Sequence, residues 1–271
     1  MPIITIYQGA SGSGQELAEA VAKELGYRCI SREVLVEASR KYGIPQAKLK
    51  EIVEKGQPWL ERWLQNLVPY RIALQAAFCE LVQGKNVIYH GHIGHELVPN
   101  NIKHVLKVLL TAPLEMRIER VRKRLKLNYT GARRYVDEVD RARTRRIMAM
   151  FDTDWRDPSR YDLVLNLGKM TLEEGARMIV EAAKLPGYQP TVVSEERLQD
   201  LTLAIRVHAT LVTSQELMGA RLEVTADGGE VSVSGSFPYW VSDELIKRQA
   251  LQVSGVDRVE TDVTISPAEL A

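Results

Sequence analysis

The chain has 271 residues, 45% hydrophobic and 26% charged, and its 36 basic and 35 acidic side chains leave a net charge of +1. That balance is ordinary for a globular protein and excludes a disordered or coiled-coil chain, while the length suits two domains. No apolar run reaches the about 18 residues of a membrane-spanning helix, and Cys29 and Cys79, far apart, offer neither a disulfide framework nor a zinc cluster.

Residues 3–7 form a β-branched and aromatic run that reads as a buried strand. The glycine-rich turn Gly9-Ala10-Ser11-Gly12-Ser13-Gly14 follows, then a helix with apolar positions Leu17, Ala18, Val21, Ala22 and Leu25 that stops at Gly26. Short helices are expected over 34–42 and 46–54, then a long helical stretch over 59–83 that Pro69 should kink or split. The runs 87–89 and 105–110 read as central strands, 114–126 and 133–150 as strongly basic helices, 161–166 as a last strand and 172–185 as a last helix. Strands alternating with helices imply a parallel sheet covered on both faces. The first turn then lies at its carboxyl edge, where ligands bind in such folds.

The rest of the chain has another rhythm. An amphipathic helix over 198–211 precedes two alternating strands around Asp227-Gly228-Gly229, a helix over 238–253 and a strand over 260–265, in the order αββαβ. Charge divides the same way: residues 188–271 hold 6 basic and 13 acidic side chains, so the net +1 splits into +8 and −7. Two prolines and a glycine in Pro186-Gly187-Tyr188-Gln189-Pro190 mark the seam, giving domains 1–187 and 197–271 with a linker over 188–196.

Strand, glycine-rich turn and helix together make a phosphate cradle, in which loop N–H groups and the helix dipole converge on an anion. Ser11, Gly12, Ser13, Gly14, Gln15 and Glu16 are the candidate nucleotide-binding residues. Against the pattern G-x-x-x-x-G-K-[ST] both glycines fit, but Gln15 stands at the lysine position and Glu16 at the hydroxyl position. A tight turn that binds nothing is the competing reading.

Residues 117–146 carry twelve basic side chains against four acidic ones. A phosphate-contacting surface and a solvated helix face are both open. Nucleic acid is disfavoured, because no recognition motif or interleaved aromatic set accompanies the charge. His90, His92 and His95 lie close together, but without an evident fourth ligand they read as polar site lining ahead of a metal site, and no metal ligand is assigned. Trp59 and Trp63 read as core or interface residues. A start lacking the basic region of a secretory signal makes the expected location cytoplasmic.

Several segments resemble the cytidylate kinase-like family of P-loop nucleoside monophosphate kinases. They are Ser11-Gly12-Ser13-Gly14-Gln15-Glu16 and the stretches Gly26 to Glu33, Val87 to Gly94, Ala112 to Arg120 and, most specific, Asp152 to Asn166, which opens Asp152-Thr153-Asp154-Trp155-Arg156-Asp157-Pro158. The resemblance implies an α/β P-loop fold, ATP with Mg2+, and phosphoryl transfer to a nucleoside monophosphate such as CMP. It also implies a lid over the basic helices, with Arg141, Arg143 and Arg145 as the catalytic candidates and Trp155 at its hinge, and an acceptor pocket lined by Arg32 and His92. Departures from the family pattern fall on the chemistry: Gln15 for a cation, Ser31 for an aspartate, His92 for an arginine. They make a pseudokinase that senses nucleotide the alternative expectation.

Val231-Ser232-Val233-Ser234-Gly235 and Gly255-Val256-Asp257-Arg258-Val259 resemble a BON domain. Such domains are associated with membrane, protein or ligand contact. An acidic segment opposes attraction to anionic lipid, so the expectation is docking within the chain or between copies of it.

Overall fold

The computed structural model describes residues 2–8, 13–54, 67–98, 102–238 and 240–266. Five parallel strands, β1 (Ile3–Gln8), β2 (Arg28–Ile30), β3 (Val87–Gly91), β4 (Val105–Thr111) and β5 (Leu163–Asn166), form one sheet in the order β2-β3-β1-β4-β5. β1 is the central strand, paired with β3 from Ile4↔Ile88 and with β4 from Ile3↔Val105. Ile3, Ile4, Ile6 and Tyr7 are all buried, because helices cover both faces and leave the strand no solvated side.

One face carries α1 (Gly14–Leu25) and α8 (Leu172–Lys184), closing a core around Ile4, Ile6, Leu17, Val21, Leu165 and Ile179. The other face is covered by α2 (Glu33–Tyr42), α3 (Gln46–Glu54), α4 (Val68–Val82) and the short α5 (Gly94–Leu97), around Tyr7, Leu74, Phe78 and Tyr89. The chain runs from β1 outward to β2 and β3 on one side and later to β4 and β5 on the other, so the exit of β1 sits at the topological switch point.

α6 (Leu114–Leu125) and α7 (Tyr129–Phe151) form a helical hairpin with a small core of Ile118, Val121, Ala132 and Val136. Lys126, in the left-handed conformation, ends α6, and Asn128 caps α7 by accepting from the Gly131 N–H at 2.8 Å.

The structure differs from the expected elements, or adds to them, at three places. The long helix over 59–83 is described only as α4 from Val68. Pro69 lies in its first turn, where its missing N–H costs nothing; residues 59–66, with Trp59 and Trp63, lie outside the described residues. β2 and α5, short and partly polar, carry no periodicity long enough to read. The segment 188–196 holds the start of α9 (Val192–Thr213), which opens at Thr191 with a capping box through Ser194.

α9 packs on α4 through Ile205 and Ala209 against Ile72, Ala76 and Cys79. Its far end joins a second sheet of β6 (Arg221–Asp227), β7 (Glu230–Pro238) and β8 (Arg258–Ser266), in the order β6-β7-β8. β6 and β7 are an antiparallel hairpin, and α10 (Asp243–Leu251) crosses over to place β8 parallel to β7. Val207, Leu211, Val231, Val233 and Ile246 form the core between the helices and one face of this sheet. Gly235 has φ +129°, and a Cβ there would sit 2.1 Å from the Arg221 carbonyl oxygen, so the strand requires glycine.

Candidate functional site

At the carboxyl edge of the first sheet, β1 ends at Gln8 and α1 begins at Gly14 with Ser13 as its N-cap residue. Ser11 and Gly12 lie outside the described residues. The Gly14 N–H donates to Gln8 Oε1 at 2.5 Å. An oxygen acceptor therefore meets the positive end of α1, the place an anion's oxygen takes at a helix start. Ser13 is buried, whereas Gln15 and Glu16 are exposed on the first turn. Gln15 Nε2 donates to Glu19 Oε1 at 2.8 Å, which turns the amide along the helix.

Guanidinium groups approach the turn from the helical hairpin. Arg120 on α6 donates to Ser13 Oγ at 2.8 Å, and Arg143 on α7 donates to the Gln8 carbonyl oxygen at 2.6 Å. Arg143 and Arg146 are both buried. Arg141 and Arg145 are exposed, and Arg141 donates to the Asp137 carbonyl at 3.2 Å on its own helix. The expected trio therefore separates, because residues two apart on an α-helix point to nearly opposite sides, while Arg143 and Arg146, three apart, share one. Sequence reasoning missed Arg120 and Arg146; the helical spacing of Arg143 and Arg146 was the signal available for the second. The ion pair from Arg117 to Asp140, at 2.5 Å, joins α6 to α7 behind these groups.

His92, just past β3, has Nε2 3.4 Å from Arg143 Nη2. Burial, then the charges of Arg143 and Arg146, holds its pKa well below the ordinary value of 6.5, so the ring is neutral near pH 7 and can accept from Arg143. His90 is lowered in the same direction, also chiefly by burial. A cavity of about 560 Å³ opens beside them, with Gln15, Arg32, Glu33, His90, His92 and Arg124 among its lining. Arg32 is the N-cap residue of α2 and is exposed at the cavity mouth. Gln15, Arg32 and His92 thus face one space.

Behind the cavity, Tyr7 packs against His95, Trp155 and Tyr161 with ring centroids 4.4, 5.1 and 6.4 Å away. Trp155 Nε1 donates to Thr144 Oγ1 on α7 at 3.1 Å, fixing the base of the hairpin. Arg160 grips Glu96 with two hydrogen bonds of 3.0 and 2.5 Å. Burial alone would raise the Glu96 carboxyl, but the neighbouring His95 ring, 3.3 Å away, and the hydrogen bonds from Arg160 outweigh it and bring the pKa to about 2. Among the described residues no group of three His, Cys, Asp or Glu side chains is placed to hold a metal ion.

The model of a cytidylate kinase-like family matches residues 3–169, and that of a BON domain matches residues 199–267. The chain belongs to the cytidylate kinase-like family. It is 27% identical over 179 residues to a cytidylate kinase of Sulfurisphaera tokodaii, covering 65% of this chain and 93% of that one. A cytidylate kinase of Saccharolobus islandicus is 24% identical over 200 residues, covering 73% of this chain and all of its own. An uncharacterized protein from Eubacterium ventriosum shares the fold, with a TM-score of 0.52 and 17% identity over 67% of this chain and 97% of its own. The family match covers the whole parallel sheet and the helical hairpin; the BON match covers most of α9 and the second sheet. No described helix is long and apolar enough to cross a membrane.

Proposed function

We propose that the chain is an ATP-dependent nucleoside monophosphate kinase, with CMP as the first acceptor to test. ATP places its phosphates at the N-terminus of α1, and the monophosphate occupies the cavity between α2 and β3. Residues 1–187 form the transferase unit and residues 197–271 an accessory domain, joined through the start of α9.

One observation carries the reading. Arg120 reaches Ser13 and Arg143 reaches Gln8, so two guanidinium groups flank the turn whose sequence pattern lacks its lysine at Gln15. Guanidinium forks match phosphate oxygens geometrically, and phosphoryl transfer depends mainly on positioning and charge neutralisation. Phosphate takes over the Gly14 N–H that Gln8 Oε1 now holds. Neutral His92 keeps Arg143 aimed at the turn without adding a second positive charge beside it.

The acceptor needs no general base. Its phosphate oxygen is already anionic near pH 7 and attacks the γ-phosphorus of ATP; the bond to the β–γ bridging oxygen breaks, leaving ADP and a nucleoside diphosphate. Ser31, where the family pattern has an aspartate, therefore removes an acceptor contact rather than an obligatory base. Magnesium fits this donor set through phosphate oxygens and water, with Glu16 as the one carboxylate in the first turn of α1. When bound it neutralises charge on the triphosphate.

Gln15, turned towards Glu19, favours a second reading in which nucleotide binds without turnover. A coupled assay with ATP, magnesium and a panel of monophosphates separates the two. Turnover of about 1–100 s⁻¹ with one pyrimidine monophosphate supports the kinase. A melting shift with ATP but no turnover supports the sensor, and no shift with any nucleotide rejects both.

A further inference from the structure

The two ends of α2 meet different parts of the molecule. At its start, Arg32 and Glu33 line the cavity beside His90 and His92. At its end, Tyr42 packs against the cluster of Ile72, Ala76 and Cys79 from α4 with Ile205 and Ala209 from α9. Between them Val34, Leu35 and Ala38 seat the helix on the core. Such apolar packing is non-directional: it fixes the depth of the helix more firmly than its slide or rotation. Directional contacts at the last turn set the remainder.

Those contacts are a chain of charges through three helices. Glu80 on α4 has both carboxylate oxygens engaged: Arg206 Nε of α9 lies 2.9 Å from Oε1, and Lys41 Nζ of α2 lies 2.6 Å from Oε2. Lys41 also lies 3.4 Å from Glu37 Oε1, one turn back along α2. The second arm of the Arg206 guanidinium, Nη1, donates to the Ser254 carbonyl at 3.0 Å, in the turn between α10 and β8. The Glu80 side chain is only 14% exposed and that of Arg206 28%, so salt and water screen this link less than a surface pair. Among the described residues, the side chains of Arg206, Glu80 and Lys41 bond only one another, Glu37 and the Ser254 carbonyl. None of them touches α1, Arg120 or Arg143.

We propose that Arg206 is a positioning residue for the acceptor site. Through Glu80 and Lys41 it holds the last turn of α2, and the helix, a stiff rod of ten residues or about 15 Å, carries that placement to Arg32 and Glu33 at the cavity. The C-terminal domain thereby supplies part of the frame of the transferase, on the acceptor side and not on the ATP side. The identity of the acceptor rests on the kinase reading; the hold of α9 on α2 does not.

The test uses Arg206→Met and Lys41→Met in the full chain, which remove the charges and keep most of the aliphatic stems. With CMP and ATP, either variant is expected to raise the KM for the monophosphate about threefold to tenfold, the scale of coupling through a packed network, with kcat and the KM for ATP within about twofold of wild type. The double variant should be no worse than a single one, because the links act in series. Arg206→Lys, which keeps a cation opposite Glu80, should stay within about twofold of wild type. Hydrogen exchange of the ligand-free chain reads the geometry without turnover: residues 33–42 should exchange at least about threefold faster in Arg206→Met, while residues 3–8 and 105–111 keep their rates. An unchanged rate over residues 33–42 would overturn the proposal. So would equal losses for CMP and ATP, which would make Arg206 a stabiliser of the fold alone, and so would additive losses in the double variant. A wild type that turns over no monophosphate would end the kinase reading, and the exchange comparison would then still decide whether Arg206 holds α2.

Discussion

Arg143 Nη1 lies 2.6 Å from the carbonyl oxygen of Gln8, so a side chain from the middle of α7 closes the end of the central strand. The guanidinium is buried, and its removal strands a carbonyl and opens space beside His92. Arg143→Ala is expected to cost about 1–3 kcal/mol of stability and to weaken ATP binding more than adenosine binding. Arg141→Ala and Arg145→Ala, on the exposed side, are expected to stay within about 0.5 kcal/mol and to leave ATP binding nearly unchanged. Calorimetric titration and melting curves on the three variants decide it; equal losses at all three would remove Arg143 from the phosphate site.

Gln15 and Arg120 should trade roles. Arg120→Ala removes the guanidinium that meets Ser13 and is expected to lower ATP affinity by about tenfold, the scale of one charge-assisted phosphate contact. Gln15→Lys restores a cation at the position where the sequence pattern expects one. In the Arg120→Ala background it should recover most of that loss, and in the wild type it should add less. Strictly additive effects in this double-mutant cycle would mean that the two positions do not serve one phosphate group.

The fold was legible where β1 and β4 are continuous apolar runs and where helices such as α1 and α8 keep a one-sided apolar face. The αββαβ order at the C-terminal end was equally plain, since Gly228, Gly229 and Gly235 all mark it. The site was legible only in outline. Ser13 and Gly14 at the start of α1, and Arg32 and His92 along the cavity, lie where turns and strand ends fixed by local sequence put them. Which arginine faces the turn could not be read from abundance, since twelve cations crowd residues 117–146 and only helix phase separates Arg143 from Arg141 and Arg145. Arg120 meets Ser13 across 107 positions, a pairing set by how the hairpin packs rather than by spacing. The Glu96 and Arg160 clamp is hidden for the same reason.

Gly235 offers a test of the second sheet independent of the first. Its φ of +129° is disfavoured for any L side chain, and the Arg221 carbonyl leaves no room for a methyl group. Gly235→Ala is expected to destabilise the β6–β7 pairing by at least about 2 kcal/mol. α9 reaches both the parallel sheet and this one, yet nucleotide-dependent protection of the first sheet should survive. Hydrogen exchange resolved by segment would show residues 221–238 opening first; uniform loss over the whole chain would instead mean that the two sheets unfold as one unit.

Acid should unfold this protein from the histidines first. His92, His95 and His90 all have folded-state pKa values below the ordinary 6.5, with burial as the leading cause in each. Between their lowered values and 6.5 the unfolded chain binds protons that the folded one does not, so stability is full above about pH 6.5 and falls as pH drops through that window. Glu96 adds a second loss at lower pH, because a carboxyl at about 2 instead of 4.5 contributes stability that disappears as pH falls from about 4.5 towards 2. Melting temperature measured from pH 8 to pH 3 should therefore decline in two steps. His92→Gln should shrink the first step by the share of one imidazole and leave the second in place, whereas Glu96→Gln should shrink the second and leave the first. A melting temperature constant from pH 7 to pH 5 would show that these imidazoles already bind their protons in the folded chain, and neutral His92 would no longer be available to accept from Arg143.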